Sequence, residues 1–125
     1  MALIAKNVDT GVVIADRVSV ASTRQTRRTG LLKHKSLPAG EGLWIVPCHG
    51  VHTFGMKFAI DVVALDEGGR VIDLVARMKP RRIRLPRRGT AGVLELPAGW
   101  LAHTGTQLGH RIELSAAPAQ HTEAA

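Results

Sequence analysis

A mainly β protein with two short helices, folded as a single-domain antiparallel β-sandwich or barrel, is what this sequence predicts. Three observations lead there. Roughly eight short apolar runs are separated by Gly, Pro, Asn and Asp clusters, the spacing of strands and turns rather than of long helices. No strand–helix–strand alternation recurs, so a doubly wound parallel sheet is not expected. A length of 125 residues suffices for one core and is short for two. The domain is expected over 1–115, with 116–125 a small, polar, alanine-rich tail expected to be flexible.

The elements follow in order. Apolar runs at 3–6 and 12–14 flank Asn7-Val8-Asp9-Thr10-Gly11, a hairpin signal with Asp and Gly at the bend. Asp16 and Arg17 interrupt the second run, which resumes at 18–21, so a bulge or a strand crossing an edge is expected there. Ser22-Thr23-Arg24-Gln25 has the form of a capping box, with Ser22 as cap and Gln25 reaching back. The helix it opens should run to Leu32 or Lys33, and Leu31, Leu32 and Leu37 are the residues available to dock it. Residues 43–46 form a short strand that Pro47 ends, leaving Cys48, His49 and Gly50 in a turn at the rim of the sheet.

Residues 58–65 are almost continuously apolar and β-branched up to Asp66-Glu67-Gly68-Gly69, which predicts a strand buried on both faces. Residues 70–77 alternate, so they should pair with it as a half-wet hairpin partner. Arg82-Ile83-Arg84-Leu85 alternates as an edge strand guarded by its charges and by Pro86. Residues 92–96 are another strand. Pro97 suits the first position of a helix ending at Gly105, with Trp100 and Leu101 buried, and 111–114 is the closing strand.

The stretch 47–69 concentrates the chemistry of the chain. It holds the single cysteine, Cys48, together with His49, His52, both phenylalanines and Asp61. The i±2 neighbours of Asp61 are Ala59 and Val63, which place its carboxylate on an apolar face where it must find donors. One reading has Asp61 accept hydrogen bonds from a neighbouring loop or pair with an arginine and fix the fold. The other brings it within reach of His52 along a shared cleft wall. In Val93-Leu94-Glu95-Leu96, alternation sends Leu94 and Leu96 inward and Glu95 outward, as the partner of an arginine. An acid–base pair of Asp61 and Glu95 is the competing account.

Cys48, His49 and His52 carry ligand-type atoms within five residues, but a transition metal needs three or four such groups converging, and this spacing is a weak signal. No metal and no cofactor is predicted. A Cys48–His52 nucleophile would need an exposed, stabilised thiolate, whereas a lone cysteine commonly serves as a small buried apolar side chain. The candidate pocket therefore comprises Cys48, His52, Met56, Asp61, Glu95 and Trp100, with Met56 and Trp100 also read as core.

The net charge is +7 with 17 Lys and Arg, which brings nucleic acid into consideration. The densest cluster is Arg77, Lys79, Arg81, Arg82, Arg84, Arg87 and Arg88. It contains no aromatic residue and the chain has no Tyr, so a platform for stacking bases is not expected, and a solvated basic surface is the plainer reading. No run reaches the ~18 apolar residues of a membrane span, and the N-terminal residues meet a turn before a signal-peptide core forms. A cytoplasmic location is expected.

Several motifs recur in a set order: Thr29-Gly30-Leu31-Leu32, Leu37-Pro38 with Gly40 and Gly42, and Cys48 with Val51-His52-Thr53-Phe54-Gly55-Met56. Ile60-Asp61-Val62-Val63, Asp66 with Gly69-Arg70-Val71, Pro80, and Val93-Leu94-Glu95-Leu96-Pro97-Ala98-Gly99 follow. Over residues 20–114 the chain resembles the domain of unknown function family numbered 192. The resemblance implies a compact, jelly-roll-like β domain and no established activity. Ala59, His110 and Lys33-His34-Lys35 depart from the family's usual pattern. The function expected is that of a binding or accessory module whose pocket, near Cys48 to Asp61, takes a small molecule or a peptide. The alternatives are a metal-assisted or acid–base enzyme using His52, Asp61 and Glu95, and a phosphate-backbone binder using the basic loop 77–88.

Overall fold

The computed structural model describes residues 2–48, 50–85 and 87–117; His49, Pro86 and the tail from 118 onward lie outside the described residues. In chain order the elements are β1 (Ala2–Asn7), β2 (Val12–Ala21), α1 (Arg24–Thr29), β3 (Glu41–Ile45), β4 (Val51–His52) and β5 (Ile60–Leu65). Then come β6 (Val71–Met78), β7 (Ile83–Arg84), β8 (Gly92–Pro97), α2 (Trp100–Thr104) and β9 (Ile112–Ala116). The expectation of a mainly β chain with two short helices is met.

Its layout differs from the sandwich and jelly-roll expected. Seven strands form one sheet in the order β6-β5-β8-β3-β2-β1-β9, and β4 pairs with β7 in a small second sheet. The large sheet is mixed, because β2 and β3 run parallel, Arg17 opposite Glu41 through Ala21 opposite Ile45. A parallel pair needs a crossover of a dozen residues or more, and the segment 22–40 carrying α1 supplies it. Although β6 and β9 are the outermost strands, they meet at one end: the Val71 N–H donates to the His110 carbonyl at 2.8 Å, and the Ile112 N–H to the Gly69 carbonyl at 2.8 Å. The sheet thus curls into a half-barrel.

The curl gives the sheet an inner and an outer face, each with its own core. Inside, Ile14, Val18, Val63, Leu65, Leu94 and Leu96 pack together, with Leu101 of α2 among them. Outside, Leu43, Ile45, Ile60, Val62 and Val93 are covered by Leu31, Leu37 and Met56. Each such Leu contributes about 1.5–3 kcal/mol by leaving water, enough to hold the crossover segment down. All six residues of β5 are buried because both of its faces are covered, as its unbroken apolar run predicts.

Local details decide one open expectation and correct three. Asp16 and Arg17 form a bulge: both of their amides donate to the Gly40 carbonyl, at 3.0 and 2.9 Å. The cap of α1 is Thr23 rather than Ser22; its hydroxyl accepts from the Thr26 N–H, and the Thr26 hydroxyl accepts from the Thr23 N–H, both at 3.0 Å. The helix stops at Thr29, so Leu31 and Leu32 turn onto the outer core instead of extending it. Pro97 ends β8, and α2 begins only at Trp100.

Candidate functional site

The outer core is incompletely filled, and the gap is a pocket of about 150 Å³. Leu31, Leu32, Ile45, Val51 and Met56 supply its apolar walls. Cys48 and His52 border it from the turn after β3, Arg27 and Arg28 from α1, and Glu95 from β8. His52 and Arg28 are exposed while Glu95 is buried, which sets the open and closed ends. The turn is pinned in place by backbone and side-chain bonds. The Cys48 N–H donates to the Ala91 carbonyl at 3.1 Å, and the buried Thr53 hydroxyl donates to the Lys79 carbonyl at 2.6 Å while accepting from the Arg82 N–H at 2.9 Å.

Glu95 stands opposite Leu43 on one side and Val62 on the other, both outer-core residues. It is 4% exposed, not the outward partner of an arginine. The alternation along β8 is real, but its outer face is roofed by the crossover segment, so outward here is not into water. Among the described residues no donor or cation pairs with its carboxyl, and burial raises its pKa from 4.5 to about 7. Burial, and then the nearby Glu95 carboxylate, push the Cys48 thiol up as well. That thiol donates to the Gly50 carbonyl at 3.0 Å. A protonated, half-buried thiol is a poor nucleophile, which removes the basis for a Cys48–His52 pair.

Asp61 belongs to the other face. It lies opposite Leu96 and is fully buried. Its Oδ1 accepts from the Arg77 N–H at 2.8 Å and the Gly99 N–H at 3.0 Å, and its Oδ2 from the Leu101 N–H at 2.7 Å. One carboxylate thereby ties β5 to the end of β6 and to the start of α2. Arg77 carries φ +52, a conformation uncommon outside glycine that the carboxylate helps to hold. Gly99 has φ +85, a left-handed conformation that strains any residue with a Cβ and so favours glycine. Of the two readings of Asp61, bonding to a neighbouring loop is the one realised. The shared wall of His52 and Asp61 is not formed, because the sheet separates them and Asp61 is sealed.

The pocket therefore unites Cys48, His52, Met56 and Glu95 and leaves out Asp61 and Trp100. Trp100 is half-buried on the inner face; its indole N–H donates to the Ile14 carbonyl and its ring stacks on His103 with centroids 4.5 Å apart. The acid–base enzyme reading loses its second carboxylate by this separation. For the metal candidates, Cys48 and His52 share the pocket, and no group of three or more ligating residues occurs among the described residues.

Sequence reading overlooked Arg27, Arg28 and the leucines as pocket residues. The available signal was the surplus of apolar side chains at 31, 32 and 37, which needs a second buried face to cover. In the basic loop, Arg84 forms a two-point bond with Asp73, Nε to Oδ2 at 2.7 Å and Nη2 to Oδ1 at 2.6 Å, and Arg87 lies 3.9 Å from the same carboxylate. Arg84 holds the Asp73 carboxyl below its usual range. At least one of the seven cations is thus engaged internally. No helix among the described residues is long and apolar enough to cross a membrane.

The sequence profile of DUF192, described as Uncharacterized ACR, matches residues 5–114. A UPF0127 protein of Thermococcus sibiricus is 30% identical over 112 residues, 86% of this chain and 71% of that protein. Another, of Pyrococcus furiosus, is 30% identical over 112 residues, covering 86% of this chain and 94% of that one. Among solved structures, a protein of unknown function from Novosphingobium aromaticivorans matches with a TM-score of 0.78 at 21% identity, over 90% of this chain and 84% of the other. A putative transcription regulator from Sinorhizobium meliloti matches with a TM-score of 0.79 at 19% identity, over 90% and 91%. At these identities the likeness to solved structures shows a shared fold alone.

Proposed function

The chain belongs to the DUF192 family, and from the geometry of its outer pocket we propose that it is a small-molecule binding domain. The carrying observation is Glu95, a buried carboxyl without a partner among the described residues, on a cavity with apolar walls. A buried polar group left unpaired costs about 1–3 kcal/mol, and a ligand that satisfies it recovers that loss on binding. Apolar walls with a few convergent polar groups are the usual composition of a ligand site. The volume favours a small molecule over a peptide, since about 150 Å³ holds a molecule of roughly benzene size.

A fragment screen followed by methyl NMR tests this reading. Binding fragments should shift the methyl signals of Leu31, Ile45 and Met56 together while leaving the inner-core methyls of Val63 and Leu96 in place. A screen in which no fragment moves the outer set would overturn it.

A further inference from the structure

The pocket has two chemically different ends. At the closed end is Glu95, which offers only oxygen and gains from a donor. At α1 stand Arg27 and Arg28, of which Arg27 uses Nη1 to donate to the Ser22 carbonyl at 3.1 Å and keeps further N–H groups. Between them the walls are aliphatic.

Arg27 and Arg28 on the pocket wall would repel a simple cation, and a simple anion would meet the Glu95 carboxylate. A molecule carrying both charges satisfies both ends, and an aliphatic body suits the walls. Resting on the pocket reading above, we propose that the ligand is a small aliphatic amino acid, its ammonium group on Glu95 and its carboxylate on Arg27 and Arg28. The cavity limits it to on the order of six to nine non-hydrogen atoms.

The ammonium ion is held by the ionised carboxyl, so binding is linked to proton release. Glu95 titrates at about 7 in the unliganded protein; below that pH, affinity should fall by about tenfold per unit, and above it should level off. Among the described residues, the other titratable groups facing the pocket are Arg27, Arg28, the Cys48 thiol and His52. The thiol is pushed up by its burial. His52 is exposed at the open end, and replacing it with Gln tests whether it contributes to the profile.

Calorimetric titrations at pH 5 to 8 with 4-aminobutanoate and 5-aminopentanoate, against 3-methylbutylamine and 4-methylpentanoate, decide the matter. One of the two amino acids should bind at least tenfold more tightly than both single-charge probes at pH 8. Glu95→Gln should cost that ligand tenfold or more and flatten its pH profile. The double change Arg27→Gln with Arg28→Gln, on a helix with no buried residue, should narrow the gap to the plain amine. The proposal is overturned if 4-methylpentanoate matches the amino acids, or if a folded Glu95→Gln protein binds them unchanged. In that event, outer-core methyl shifts with an uncharged fragment would leave the binding-domain reading standing; their absence would remove both.

Discussion

Asp61 and Glu95 sit on adjacent strands, one residue out of register and on opposite faces of the same sheet. Both are buried carboxyls, yet Asp61 accepts three backbone N–H groups, whereas Glu95 has no partner among the described residues. On the inner face the chain delivers donors: a left-handed residue at the end of β6 and the first turn of α2 both aim amides at one point. On the outer face leucines and methionine form the cover, and no donor among the described residues bonds the Glu95 carboxyl. Depth of burial therefore does not separate a structural carboxylate from a site; the supply of donors does.

The sharpest way to break this contrast is Asp61→Ala. It leaves three backbone amides without an acceptor, that of Leu101 buried and those of Arg77 and Gly99 partly so; at ~1–3 kcal/mol for a buried group and less for the two partly wet ones, the expected loss is about 2–6 kcal/mol, readable as a shift in the urea midpoint. A loss under about 1 kcal/mol would mean that water or another acceptor replaces the carboxylate and that Asp61 is not the tie described above.

Glu95→Gln should act in the opposite direction. The folded state holds the Glu95 proton up to about 7, against 4.5 for the ordinary value, so the folded form binds the proton more tightly and stability falls as pH rises through that window. The penalty is absent below the ordinary value and complete above the raised one, on the order of 3 kcal/mol. The glutamine variant should be more stable than the parent by about 1–3 kcal/mol at pH 8 and indistinguishable from it at pH 4. Equal pH slopes for the two proteins would show that Glu95 is solvated or paired.

The smallest effect is expected for Arg84→Ala. The arginine side chain is 44% exposed, so screening limits the pair with Asp73 to about 1 kcal/mol at neutral pH. Because the Asp73 carboxyl is held below its ordinary value of 3.8, that contribution exists above this value and is lost as pH falls through the depressed one, the reverse of Glu95. Stability curves from pH 2 to 7 should converge for the two proteins at the acid end.

Much of the inner architecture was legible in the residues. The run ending at Leu65 announced a doubly buried strand, the Asp16-Arg17 interruption a bulge or an edge crossing, and the apolar neighbours of Asp61 a carboxylate in need of donors. What stayed hidden depends on the outer cover. Alternation in 93–96 distinguishes two faces of a strand but not which of them water reaches, so Glu95 was assigned to solvent. The parallel pairing of β2 with β3 was equally hidden, since a six-residue helix in the crossover leaves too little periodicity to mark a strand–helix–strand unit. The separation of Trp100 from the pocket follows from the same two-faced geometry.

The pairing of β1 with β9, in which Asn7 faces Ile112 and Leu3 faces Ala116, bears on how the molecule is made. A ribosome releases the first hairpin long before the strand that closes its free side, so the nascent chain carries a bare row of amides and carbonyls through most of its synthesis. That exposed ladder invites pairing with a neighbouring nascent chain, and the charge of Lys6, on the edge strand itself, acts as a guard until β9 arrives and sets Glu113 opposite it.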